Sequence, residues 1–349
     1  MRSHRRPILA GILAVTTILA TAAPAAAASP TIQVLPGLPG SVGAEADAVN
    51  VFGTVVGYSL DANYQEQAVK WSPDGTVTAL PGLPGAASSA ATAINNLGEI
   101  AGYSNVGTGR HAVEWNAAGV VTDLGIVPGA QSISSANGIN DFGEVVGLDN
   151  PTRLTVVAVR WINGRLDDYG TAERDEIEGT AASAVNDLGQ IVGSDHLIHG
   201  LGAHREVRWN ADGSYVQLPF LPDPRAGGGR ADAINNLGVA VGDSPTSSAT
   251  PAWHAVRWDQ QATVTDLGTL PGGMDSYANG INDLGTIAGS ASDANGASHA
   301  VAWSSGGALR VLPALSGSTY SEAQAISDAG VIVGDATDAT GQEVAVVWR

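Results

Sequence analysis

The 349-residue chain has no cysteine, only three phenylalanines and two methionines, and few charged side chains (14%). Past Ala28 no apolar run is long enough to cross a bilayer, which takes about 20 residues. Without cysteine there can be no disulfide, thiol nucleophile, thiolate metal ligand or cysteine-linked lipid anchor, so a protein working outside the cell must rely on a large buried core. The roughly 320 residues after Ala28 are enough to build one. Basic residues are scarce. With Arg2, Arg5 and Arg6 set aside, 13 basic side chains stand against 34 acidic ones, a formal charge of −21 spread along the chain. That balance argues against nucleic acid and anionic lipid as partners, while favouring solubility and admitting cations. Helical periodicity is nearly absent. So are a Gly-x-Ser-x-Gly elbow, a Gly-Lys-Ser/Thr phosphate loop and a dinucleotide fingerprint ahead of a helix.

The first 28 residues read as a signal peptide: Arg2, Arg5 and Arg6, an uncharged apolar run from Ile8 to Ala23, and a small-residue cleavage site at Ala26-Ala27-Ala28. An uncleaved anchor is the alternative, but the run is short for one and a cleavage signal follows it. Arg5-Arg6 before Ile8-Leu9 is similar to a twin-arginine signal, and an ordinary basic n-region accounts for it equally well. The expected product is secreted, extracellular and monomeric, with no membrane span after signal cleavage.

A short segment recurs seven times: AVNVFGTVVG (48–57), AINNLGEIAG (93–102), GINDFGEVVG (138–147), AVNDLGQIVG (184–193), AINNLGVAVG (233–242), GINDLGTIAG (280–289) and AISDAGVIVG (325–334). Its inner glycine falls at 53, 98, 143, 189, 238, 285 and 330, a period of 45 to 49 residues that suits propeller blades or another repeat array. Each copy is followed by a stretch ending in tryptophan, such as QAVKW or HAVRW, which takes seven of the eight tryptophans and leaves Trp253 apart. A third β-rich stretch (TVTAL at 76, VVTDL at 120, TVTDL at 263) comes next. Each unit therefore reads as four short strands, a to d, with Asn-x-x-Gly turns suited to tight hairpins because asparagine and glycine tolerate positive φ. Four antiparallel strands in about 45 residues match a radial blade better than a parallel β-helix, whose coils are shorter. The expected fold is all-β: a seven-bladed β-propeller of four-stranded antiparallel blades, one repeat domain over residues 29–349.

The ends of the chain complement each other. TIQVLP (31–36) matches strand d of the repeat (TVTALP, 76–81), whereas the seventh unit stops after strand c at Trp348-Arg349. The N-terminal strand is expected to complete the last blade and to pair an otherwise open edge.

The pattern DLGTLPGG…SYANGINDLGTIAGS…SHAVAW (266–303) resembles the HAF-repeat family of extracellular bacterial repeat proteins, and the resemblance extends over all seven units. Valine stands in place of the family's phenylalanine, and the histidine is kept only at His111, His254 and His299. The resemblance implies export and a repeat fold. It brings no catalytic residues with it.

Two groups of residues are candidates for a site. In strand a, one position between two small residues is polar in every unit: Asp47, Thr92, Asn137, Ser183, Asp232, Asn279 and Gln324. With strand a innermost, these line a central channel and suit water, a cation or a ligand; hydrogen bonding between blades is the plainer role. The second group is in the b-c and d-a loops, which vary in length and share one face, whereas the a-b and c-d turns are short and uniform. Unit 4 departs most, with Glu173, Asp175, Glu176 and Glu178 in a d-a loop at 170–182 and Asp195, His196, His199 and His204 in a b-c loop at 194–204. Unit 5 adds Arg225, Arg230 and Trp253. Carboxylates beside imidazoles suit zinc or another divalent ion, or acid-base work, although the spacing fits no helical zinc motif and a solvated loop is the plainer state. Asp61, Asp293 and Asp338 in Asp-Ala-Asn or Asp-Ala-Thr turns raise calcium in the same way, against ordinary turns. The repeated histidines read as blade packing in preference to a ring of ligands, and the tryptophans as inter-blade filling in preference to a sugar-binding ring.

No cofactor is required by any of these patterns. The expected function is a secreted binding or interaction module for a protein, peptide or carbohydrate. The alternative is an extracellular hydrolase or lyase of propeller type with a divalent metal.

Overall fold

A computed structural model describes residues 30–127, 133–152, 155–169, 177–197, 204–221, 228–246 and 252–349. Among these residues the secondary structure is β-strand and turn, with no helix. The fold is a β-propeller assembled from seven four-stranded antiparallel units, two of which (units 3 and 4) join into one eight-stranded sheet through a single parallel bridge, Val156 to Gly179. Strand a of each unit touches strand a of the next, and the last, Ser321–Ile326, touches the first, Gly43–Val49, so the innermost strands close a ring.

Seven apolar clusters hold the ring together, one between each pair of neighbouring units, and each contains one of the repeated tryptophans. The cluster between units 7 and 1, for example, packs Leu35, Ala46 and Trp71 against Val333 and Val347. Alanine on strands a and c lets the sheets approach, and the indole fills what remains. In four units its N–H finds the same acceptor: Trp71, Trp115, Trp258 and Trp348 donate to the carbonyls of Pro36, Pro81, Pro219 and Pro313, each at the end of the preceding unit's strand d, at 2.7 to 2.8 Å.

Closure follows the pattern of the chain ends. Ile32–Val34 pairs antiparallel with Glu343–Trp348, Ile32 opposite Trp348 and Val34 opposite Val346. Thr31 and Arg349 exchange backbone hydrogen bonds at 2.7 and 3.0 Å, and Leu35 N donates to Ala345 O at 2.8 Å.

The repeat motif ends in glycine for a steric reason. In every unit strand a carries a β-bulge opposite that glycine, and a Cβ on Gly147 would lie 1.9 Å from Ser135 O. The inner glycine of the motif serves the turn: Gly53 has φ +80° and donates to Asn50 O at 3.0 Å.

Candidate functional site: the channel and its two mouths

The residue left unpaired by the bulge is Asp47, Thr92, Asn137, Ser183, Asp232, Asn279 or Gln324, the seven polar positions singled out from the sequence. A bulge re-aims its extra side chain, and here five of the seven line one cavity of about 360 Å³ in the ring: Asp47, Thr92, Asp232, Asn279 and Gln324, together with Arg230 and Glu322.

Three of the uncharged members are tied to the neighbouring unit. Thr92 Oγ1 donates to Ala136 O at 2.8 Å, Asn137 Nδ2 to Ala182 O at 2.8 Å, and Asn279 Nδ2 to Ala323 O at 3.0 Å and Glu322 Oε1 at 2.7 Å. An ionised aspartate cannot donate in this way. Burial accordingly pushes the Asp47 carboxyl well above its ordinary range, helped by Glu45 and Glu66, and burial lifts Asp232 to about 7 against the pull of Arg230. Arg230 is itself engaged by Asp243, Nε to Oδ1 at 3.2 Å, with Asp232 at 3.9 Å.

Around units 7, 1 and 2 the cavity grades into a cluster of carboxylates and phenols. Tyr103 donates its hydroxyl to Glu66 Oε2 and Tyr320 to Glu322 Oε2, both at 2.8 Å, and Tyr58 is hydrogen bonded to Glu45. Asp335 accepts from Ala46 N at 3.1 Å and Gln324 Nε2 at 3.4 Å, and burial with Glu45 and Asp47 nearby raises its pKa well above normal. Sequence reading missed this cluster because its members come from strands far apart in the chain. The available signal was the position two before the bulge, which holds Glu45, Arg230, Tyr277 and Glu322 in four units and Ala90, Ser135 and Ala181 in the rest.

A second departure from the repeat lies between units 4 and 5. In five interfaces an alanine N–H of strand c donates to a hydroxyl on the next strand a: Ala68 to Ser89, Ala112 to Ser134, Ala158 to Thr180, Ala255 to Ser276, Ala300 to Ser321, at 2.7 to 3.2 Å. Between units 4 and 5 the pair is Glu206 and Gly229. Glu206 is fully buried, and burial followed by the charges of Asp232 and Asp243 pushes it up to about 8 against the pull of the Ala231 backbone N–H.

The loop patch expected in units 4 and 5 is only partly described. Glu173, Asp175, Glu176, His199 and Arg225 lie outside the described residues. The loops are shorter than the sequence suggested, since strand a of unit 4 starts at Ile177 and places Glu178 in a strand, while strands b and c reach Leu197 and His204. The cause is an extended hairpin in which Asp195 faces Arg205 and His196 faces His204, with Ile177 opposite Leu197. Asp195 is buried in that sheet. Trp253 opens strand c of unit 5, half-buried, its backbone N–H donating to Asp275 Oδ1 at 2.9 Å.

The remaining candidates have local partners. His111 and His254 pair with Asp123 and Asp266 on their own strand d, each at 2.9 Å, and His299 with Asp293 at 3.3 Å. Asp61, Asp293 and Asp338 each accept two backbone N–H groups of their own turn, at 2.7 to 3.0 Å.

At the other end of the channel, the a-b turns carry two hydrogen-bonded rings. Asn50, Asn95, Asn140, Asn186, Asn235 and Asn282 each donate Nδ2 to the carbonyl of the equivalent residue one unit on, at 2.9 to 3.2 Å. The next residue in each turn donates its backbone N–H to a side-chain oxygen one unit on, Asn96 to Asp141 and Asp283 to Asp328 among them, both at 2.7 Å. Both runs stop at the junction of unit 7 with unit 1, where Ser327 has no amide to give and Val51 no acceptor.

No family model matches the chain, and no curated protein matches it. Solved structures do match. Streptogramin B lyase is 11% identical over 91% of this chain and 97% of its own, with a TM-score of 0.55. Oligogalacturonate lyase from Vibrio parahaemolyticus is 10% identical over 92% and 96%, with a TM-score of 0.58. A puromycin hydrolase is 15% identical over 86% of this chain and 53% of its own, with a TM-score of 0.54. At these identities the likeness is one of fold, the β-propeller.

Proposed function

We propose that this chain, read as a seven-bladed propeller with one repeat unit per blade, is a secreted binding module of the HAF-repeat kind. Its recognition site is the bulge-lined cavity and the acidic, tyrosine-bearing rim around it. The observation that carries this reading is a break in sevenfold regularity where Asp47, Asp232, Glu322 and Arg230 share a cavity with Asn279 and Gln324. Two carboxyl groups that burial shifts toward the protonated form, Asp47 and Asp232, offer donors as well as acceptors, and Glu322 faces a guanidinium already held by Asp243, which suits the hydroxyls of a carbohydrate or a lysine-bearing peptide. The signal-like N-terminus supports an extracellular setting. Arrays of bacterial and plant glycans and of basic peptides, probed with the protein from Ser29 onward, test the reading. Retention on one class, lost with Glu322→Gln, supports it, and retention on neither class contradicts it.

Asp232 favours a second reading, an acid-base enzyme acting on an extracellular polymer or ester. A carboxyl in the cavity wall with a pKa of about 7 can give and take a proton near neutrality. Turnover of a polysaccharide or ester substrate that Asp232→Asn abolishes would establish it.

A further inference from the structure

The a-b face carries a feature that neither the turns nor the core require. The residue before each turn glycine is Phe52, Leu97, Phe142, Leu188, Leu237 or Leu284, with 69, 62, 75, 60, 54 and 72% of its surface exposed. Unit 7 supplies the control. It has Ala329 at this position and makes the same turn, Gly330 N to Ser327 O at 2.9 Å, against 3.0 Å for Gly53 N to Asn50 O. Six large apolar side chains held in water around one ring expose apolar area on the order of several hundred Å², the scale that marks an interaction surface.

Inside this collar is a cavity of about 200 Å³ lined by the asparagine ring and by Asp141, Asp187, Asp283 and Asp328, with no lysine, arginine or histidine in its lining. The carboxylates are held in place by the backbone N–H groups of Asn96, Asp141, Asn236 and Asp283. Charge therefore decides what can cover the face. A second copy would bring two carboxylate rings together, and an anionic bilayer would be repelled. An uncharged apolar surface would leave four carboxylates desolvated without compensation.

We propose that this face docks a protein partner that inserts a lysine or arginine side chain into the acidic pit and surrounds it with apolar side chains seated on the collar. The site is separate from the bulge-lined cavity and does not depend on what binds there.

Because the chain has no cysteine, Ala329→Cys provides a single attachment point for an environment-sensitive fluorophore on the seventh turn. The labelled protein is titrated with the synthetic peptide Leu-Trp-Leu-Arg-Leu-Trp-Leu and with its counterpart bearing Glu in place of Arg. The expected result is a blue shift with the arginine peptide, about tenfold tighter than with the glutamate peptide. The same chain carrying Phe52→Ser, Leu97→Ser and Phe142→Ser should weaken that binding about tenfold or more while its thermal midpoint stays close to the parent's, since Ala329 shows that the turn tolerates a small residue. Equal affinity for both peptides, no binding of either, or full binding by the folded triple variant overturns the proposal. So does a parent dimer in sedimentation that the triple variant dissolves, which would assign the face to a second copy. Co-flotation with phosphatidylcholine vesicles that is lost in the triple variant would likewise overturn it, in favour of a membrane.

Discussion

Asn140 shows how much one residue does in this fold. Its Oδ1 accepts from Phe142 N and Glu144 N at 3.0 Å, and its Nδ2 reaches Asn186 O at 3.0 Å, so a single buried side chain both shapes its turn and ties unit 3 to unit 4. Asn140→Ala should cost about 2–3 kcal/mol in denaturant unfolding, since it leaves buried groups unpaired. The missing seventh link predicts the opposite sign: Ser327→Asn should donate a side-chain amide hydrogen bond to Asn50 O and gain about 1 kcal/mol. Glu206 predicts a pH dependence. Its folded pKa, about 8, is raised above the unfolded value, so its contribution is full at acidic pH and is lost as pH rises from about 4.3 through 8, with a slope of at most about 1.4 kcal/mol per pH unit. Glu206→Gln, which keeps the side chain's shape and removes its titration, should flatten the stability–pH curve over that range. The bulge residues were legible in the sequence because polarity between two small residues repeats seven times. Glu206 was not, since one glutamate in place of alanine looks like an exposed strand residue until the neighbouring sheet is in place.

At the scale of strands and loops, the lone N-terminal strand was legible because it matches strand d at Thr31, Leu35 and Pro36 and keeps its β-rich pattern between them. Leu35, buried in the cluster between units 7 and 1, anchors it. Leu35→Ala should cost about 2–5 kcal/mol, and removal of residues 31–36 should destabilise the whole ring, both read as lowered thermal midpoints. A truncated protein that melts like the parent would show that the closing strand is dispensable. The unit 4 loops were less legible: composition marked Asp195 and Glu178 as loop residues, whereas pairing across the hairpin extends the strands over them. Backbone pairing is a property of two segments together, and acidic residues in one segment do not reveal it.

For the whole molecule, the repeat count and the tryptophans pointed to a propeller, and one tryptophan-centred cluster per interface accounts physically for why they recur. The acidic rim escaped sequence reading because Glu45, Glu66, Asp335 and Glu322 meet only when the ring closes and brings the two ends of the chain side by side. Closure thus does two things at once: it pairs the open edge and brings the acidic rim together. The most direct test of this account is calorimetric titration of the protein from Ser29 onward with the tightest-binding array ligand, run beside Asp47→Ala and Glu322→Gln. A drop in affinity of about tenfold or more for both variants, with folding intact, is the predicted result; affinity unchanged in both would place the binding site somewhere other than this cavity.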